Sequence, residues 1–221
     1  MTTVYWTELD APVGRLLLTA DADGALTSLS VPGQKGGLSL QGVQDAWRHD
    51  SEPFRAAADQ LAAYFAGELK EFRLVSSPRG TEFRQRVWAA LDEVPYGATV
   101  TYGEIAARIG ASRAAVRAVG GAIGANPLLI VRPCHRVIGA DGSMTGYAGG
   151  VERKVWLLTL EGALTGQAPA TARADSGGGR APFGVASAHQ DAGTEPRPIR
   201  GADRQPPATG PGSTTRSGPT G

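Results

Sequence analysis

A break in composition at Gly166 sets the limit on what this chain can fold into. From Gly166 to Gly221, 56 residues hold 11 Gly and 8 Pro, with Phe183, Val185 and Ile199 the only sizeable apolar side chains. Such a stretch cannot bury enough area to offset its ordering entropy, so residues 166–221 are expected to form a disordered tail. The 165 residues before it suffice for one domain with a good core, or for two small subdomains.

Within those residues the hydrophobic pattern changes along the chain. Residues 3–31 alternate short β-rich runs with turns, and Asp21-Ala22-Asp23-Gly24 between two apolar runs signals a hairpin. Residues 32–50 have no period and read as a loop, after which Phe54, Ala58, Leu61, Ala62 and Phe65 recur at helical spacing. Residues 1–77 are therefore expected to form an α/β subdomain, with 6 basic and 10 acidic side chains. From Thr81 onward the pattern is helical, with a stripe of Phe83, Val87, Trp88 and Leu91 ended by Pro95-Tyr96-Gly97. Thr101 and Glu104 fit a capping box for a helix ending at Gly110, and Ser112 can cap a second helix reaching Gly124. A short Gly-containing turn between two helices is the helix-turn-helix arrangement.

The second helix has two unlike faces. Val116, Val119, Gly120 and Ile123 form an apolar stripe for a core, while Ala114, Arg117, Ala118 and Gly121 form an outward face with one charge. A solvent face usually carries several charges, so this bald one suits close approach to a large partner surface. The alternative is a helix that packs on other helices through Ala and Gly.

Several classes of function are excluded or disfavoured. One cysteine permits no internal disulfide and no multi-cysteine zinc site. The longest apolar runs, such as Leu128 to Val131, fall far short of the roughly 20 residues a membrane helix needs. No secretory signal is visible in MTTVYWTELD, so a soluble protein of a reducing, cytoplasmic compartment is expected, with no membrane partner. Residues 78–163 carry 10 basic and 7 acidic side chains, which makes this stretch the place to look for a nucleic-acid surface.

The only cysteine, Cys134, stands beside His135, one of three histidines. A thiol of ordinary pKa, ~8.5, is only a few per cent thiolate at neutrality, so a nucleophilic Cys needs a base directly or through one water. A buried, inert Cys next to a surface His is the alternative for a lone Cys-His pair.

The flanking segments decide between them. Pro133-Cys134-His135-Arg136-Val137 is preceded by VPYGATVTYGEIAARIG, RAVGGAIG and Asn126-Pro127. It is followed by Thr145-Gly146-Tyr147-Ala148-Gly149-Gly150 and by Trp156-Leu157-Leu158-Thr159-Leu160-Glu161-Gly162. In this order the segments closely resemble the O6-alkylguanine-DNA alkyltransferases, also called methylated-DNA-protein-cysteine methyltransferases. The resemblance is dense over residues 80–162 and general over 1–79.

The resemblance implies that Cys134 takes the alkyl group from guanine O6, that His135 withdraws the thiol proton through a water, and that Glu161 orients the imidazole. Asn126 would hold the active-site loop, and Tyr102 would donate a proton to purine N3 as guanine leaves. Tyr147 would wall the base pocket, with backbone groups at Cys134, Val137 and Ala148 reading the base edge. Arg117 would take the place of an extruded nucleotide, while Ala114, Ala118 and Gly121 let the helix press into the minor groove.

The implied fold is α+β, a small ribonuclease-H-like α/β subdomain (1–77) followed by a mostly helical domain with the helix-turn-helix (78–165) and the tail. The implied activity is single-turnover repair of O6-alkylguanine, and O4-alkylthymine, in double-stranded DNA by a monomer without cofactor or metal. Three features stand apart. Arg132 occupies a position where relatives usually carry an apolar residue, Gly124 replaces a basic residue of some relatives, and the zinc ligands of some members are missing from the N-terminal subdomain. Glu161 is expected at the end of a helix with Val151, Val155 and Leu158 on its inner stripe.

Overall fold

A computed structural model describes residues 3–164 apart from 40, 42, 44, 45 and 145; the expected tail, 166–221, lies outside the described residues. The N-terminal part is a four-stranded sheet in the order β3-β2-β1-β4, built from β1 (Tyr5–Leu9), β2 (Leu16–Ala20), β3 (Leu26–Ser30) and β4 (Arg48–His49). The expected hairpin joins β2 to β3, and Asp21 Oδ1 accepts the amides of Asp23 and Ala25 to set its turn. All of β2 is buried, which fits a central strand covered on both faces. The region expected to be a loop contains β4, which pairs parallel to β1 over two residues.

Helix α1 (Arg55–Phe65) packs on this sheet through Ala57, Leu61, Tyr64 and Phe65, following a 3-10 turn at Glu52–Phe54. The buried stripe is therefore rotated from the expected Ala58 and Ala62 toward Ala57 and Tyr64, both of which lie in the core.

The rest is mainly helical. Helix α2 (Glu82–Asp92) is capped by Thr81, whose side chain accepts from the Arg84 amide at 3.3 Å. A two-stranded parallel ladder, β5 (Val100–Thr101) with β6 (Val137–Ile138), brings the helix-turn-helix and the Cys134 region together. Helix α3 (Tyr102–Arg108) starts with the expected Thr101–Glu104 capping box. Ser112, by contrast, makes no side-chain cap: a 3-10 turn at Arg113–Ala115 intervenes before α4 (Val116–Gly124). Trp88 of α2 donates its indole N–H to the Ala122 carbonyl of α4 at 2.9 Å, so a buried polar group doubles as a helix-helix tie.

Helix α5 (Val151–Leu160) corrects the expected inner stripe. Val151 and Val155 are 45% and 38% exposed, whereas Lys154, Leu157 and Leu158 are buried and Glu161 follows on the same face. The positions 154, 157, 158 and 161 keep helical spacing, and this rotation lets both charged ends of the stripe find polar partners inside.

The open edge of β3 places the site. Residues 75–77 bond to Leu26, while the Leu29 amide donates to the Pro127 carbonyl at 2.8 Å and the Leu29 carbonyl accepts from Leu129 at 3.1 Å. The edge is thus covered on both sides of its midpoint, and the segment leading to Cys134 is stitched to the sheet.

Candidate active site

Asn126, 1% exposed, organises the loop that follows α4. Its Oδ1 accepts the Leu128 amide at 3.0 Å, and its Nδ2 donates to the carbonyls of Leu128 (3.3 Å) and Arg132 (3.0 Å) and to Cys134 Sγ (3.1 Å). A buried amide that satisfies this many groups locks the chain around it. The same loop holds Ile130 at φ +71°, the one positive φ outside glycine among the described residues. For a β-branched residue this conformation costs about 1–3 kcal/mol, so the surrounding contacts must over-determine it.

Cys134 opens a 3-10 turn, Cys134–Arg136, and is 4% exposed. Burial pushes its thiol up to about 11, against the pull of the Asn126 hydrogen bond and the Lys154 and Arg132 charges. The resting sulfur therefore keeps its proton.

His135 follows and is fully buried. Its Nε2 lies 2.8 Å from Glu161 Oε1, and since a carboxylate only accepts, Nε2 carries the hydrogen. Nδ1 is then the lone-pair nitrogen, and it is buried without a hydrogen-bond partner among the described residues. Burial lowers the His135 pKa, partly opposed by the Glu161 hydrogen bond and charge, so the ring rests neutral with its basic nitrogen available.

Glu161 is the hub. Oε1 also accepts from the Tyr64 hydroxyl at 2.7 Å and Arg136 Nη2 at 2.9 Å; Oε2 accepts from Arg136 Nε at 2.8 Å and the Gly97 amide at 3.3 Å. Burial alone would raise its carboxyl, yet the His135 and Arg136 hydrogen bonds and charges outweigh it and hold the pKa at about 2. The fork of Arg136 also reaches the Val94 carbonyl at 2.5 Å. A permanently ionised carboxylate facing a neutral imidazole is the arrangement that stabilises an imidazolium once one forms.

The remaining expected residues surround this network. Tyr102, at the N-terminus of α3, donates its hydroxyl to the Gly146 carbonyl at 3.2 Å, and burial raises its pKa. Tyr147 stands edge-on to His135 with ring centroids 6.4 Å apart. Val137 is fully buried, and its carbonyl accepts Lys154 Nζ at 2.6 Å; the Ala148 carbonyl accepts the Lys35 amide at 3.0 Å. Burial lowers the Lys154 pKa.

Ala114, Arg117, Ala118 and Gly121 are not part of the buried network. All four are exposed, as is Gly124, and they form one outer surface of the turn and α4. That surface adjoins Tyr102, because a Cβ added at Gly120 of α4 would sit 3.8 Å from its ring. Helix α4, whose outer face carries Arg117 as its one charge, thus borders the Tyr102 ring.

Sequence reasoning assigned no role to Tyr64, Arg136 or Lys154, and left Arg132 unexplained. Arg132 makes a bidentate pair with Asp92 at 2.9 and 3.0 Å, and its guanidinium carbon lies 5.4 Å from the Trp88 ring centre. Neither Arg136, which directly follows His135, nor Lys154, the last of three consecutive charged residues, carried a pattern that marked it as buried. Tyr64 carried none beyond its place near the α1 stripe. No three His, Cys, Asp or Glu side chains converge as a metal site among the described residues.

Comparison with known proteins agrees with this layout. Residues 4–76 match the ribonuclease-like domain of 6-O-methylguanine DNA methyltransferase, and residues 82–163 match its DNA binding domain. The methylated-DNA-protein-cysteine methyltransferase of Methanosarcina acetivorans is 50% identical over 159 residues, covering 72% of this chain and 99% of that protein. The one of Mycolicibacterium paratuberculosis is 51% identical over 158 residues, covering 72% and 92%. A crystal structure of Mycobacterium tuberculosis OGT in complex with DNA superposes with a TM-score of 0.64 at 48% identity, covering 73% of this chain and 93% of that one. The α+β fold, a sheet domain followed by a helical domain, is that of the OGT structures, and the chain belongs to the methylated-DNA-protein-cysteine methyltransferase family.

Proposed function

We propose that this protein repairs O6-alkylguanine, and O4-alkylthymine, in double-stranded DNA by moving the alkyl group irreversibly to its own Cys134. The observation that carries this reading is the buried pair of Cys134, held by Asn126, and His135, held by Glu161, behind a bald helix-turn-helix face. The S–C bond forms as the C–O6 bond breaks. The thiol proton passes through a water to His135 Nδ1, and Tyr102 donates a proton at purine N3 so that guanine leaves neutral. A Tyr102 pKa raised by burial keeps that proton in place beforehand.

The O6 carbon cannot be reached in line while the base is stacked, so the nucleotide must leave the duplex. Arg117 fills the space it vacates, and Ala114, Ala118 and Gly121 allow α4 to lie in the minor groove. Tyr147 walls the pocket, and backbone groups at Cys134, Val137 and Ala148 read the base edge. A thioether is not reversed by any group of this site, so each molecule acts once. The acting form is a cytoplasmic monomer, with residues 1–77 as support and 78–165 carrying the chemistry.

Mass spectrometry after mixing the protein with excess duplex bearing one O6-methylguanine tests this. Gain of one methyl on the Cys134 peptide, with guanine restored and the reaction stopping at one equivalent, is expected. Tight binding with no mass change would make the protein a damage sensor instead.

A further inference from the structure

We propose that Arg132 is a positioning residue for the alkyl transfer, acting through a clamp on Asp92 and Trp88 that fixes the chain just before Cys134. The proposal rests on Cys134 being the nucleophile. Arg132 is only 8% exposed, and its backbone is part of the site: its carbonyl accepts Asn126 Nδ2 at 3.0 Å and the Cys134 amide at 2.8 Å. Its side chain leaves that loop and grips α2, with Nε and Nη2 on the two carboxylate oxygens of Asp92 and the guanidinium over Trp88. A bidentate pair fixes orientation as well as distance, which a single charge cannot.

The clamp has a counterpart. Two residues after Cys134, Arg136 reaches the Val94 carbonyl just beyond α2. Two arginines, at equal spacing on either side of the sulfur, therefore dock at the C-terminal end of one helix, where exposed carbonyls favour cations. That helix also holds α4 through the Trp88 bond to Ala122, so the loop and the outward helix share one anchor. Arg132 Nη1 is buried without a hydrogen-bond partner among the described residues, a cost that simple space-filling by an apolar side chain would not incur. A nucleophile misplaced by about 1 Å can lose on the order of 100-fold in rate, so modest slack at this anchor is enough to be measured.

Single-turnover transfer from a duplex with one O6-methylguanine, followed over a range of protein concentration, separates the saturating rate from the half-saturating concentration. Arg132→Met and Asp92→Asn should each lower the saturating rate about tenfold and leave half-saturation within about twofold. The double variant should be no slower than Arg132→Met alone, because both remove the same clamp. Asp92 is half exposed, with 48% of its side chain accessible, so Asp92→Asn reports even if Arg132→Met folds poorly. Saturating rates within about twofold of the parent, losses that multiply in the double variant, or a change confined to half-saturation would each overturn the proposal. A parent protein that leaves the methyl on guanine would overturn the Cys134 reading and this proposal with it. Parent and variants all transferring alike would overturn the positioning role alone.

Discussion

At the scale of single residues, burial acts on Cys134 and His135 in the same sense, favouring the uncharged form of each. Attack by sulfur then requires that its proton be taken as the bond forms, and His135 Nδ1, the ring nitrogen not bonded to Glu161, is the candidate base. His135→Ala should therefore lower the transfer rate at pH 7 by roughly 100-fold or more, the usual worth of a general base. Its pH dependence should shift upward: the parent, whose imidazole pKa is lowered from 6.5, keeps its base through mildly acidic pH, while the variant gains rate only as the thiol itself ionises toward about 11. Single-turnover rates between pH 6 and 9 check this, and a variant with the parent's profile would remove His135 from the proton path. The Cys-His pair was legible because the two residues are adjacent, and Asn126 through the family resemblance. Tyr64 and Arg136 were not, because each becomes a partner of Glu161 only when segments 97 and 25 positions apart meet.

Elements were legible where local chemistry alone decides them. The Thr101–Glu104 capping box formed as expected, and the two faces of α4 emerged with Val119 and Ile123 buried and Arg117 exposed. Ser112 failed as a cap because the chain enters α4 through a 3-10 turn, which takes the first-turn bonds itself. Helix α5 was misjudged because a buried lysine costs too much to expect without knowing its partner, here the Val137 carbonyl. The exposed α4 face leads to a prediction at this scale. Arg117→Ala should slow transfer from duplex DNA by at least roughly tenfold, since unstacking a nucleotide costs a few kcal/mol that Arg117, as the proposed inserted residue, would offset. Transfer from the free O6-alkylguanine base, which needs no extrusion, should be unchanged. Equal rates on duplex for parent and variant would dismiss Arg117 as the inserted residue.

On the scale of the whole molecule, the sequence divides visibly into a region of short β-rich runs followed by one helical stretch and a region that is helical from Thr81 onward. What it does not display is how they are joined. The edge of β3 pairs with residues 127–129, α1 sends the Tyr64 hydroxyl to Glu161, and Asn126 binds both Leu128 and Cys134 Sγ. A disturbance at the sulfur is therefore not local. Methylation places an added carbon in a pocket where Cys134 is 4% exposed, and it converts the acceptor of Asn126 Nδ2 into a bulkier thioether. Overpacking of this kind costs about 1–3 kcal/mol. With Asn126 also holding Leu128 on the sheet, the cost falls on cooperative unfolding of the joined regions rather than on one loop. The alkylated protein should melt roughly 2–12 °C below the unmodified one, given about 2–4 °C per kcal/mol for a chain of this size. Calorimetry of both forms in the same buffer measures the difference, and coincident transitions would mean that the pocket admits the methyl group without displacing Asn126.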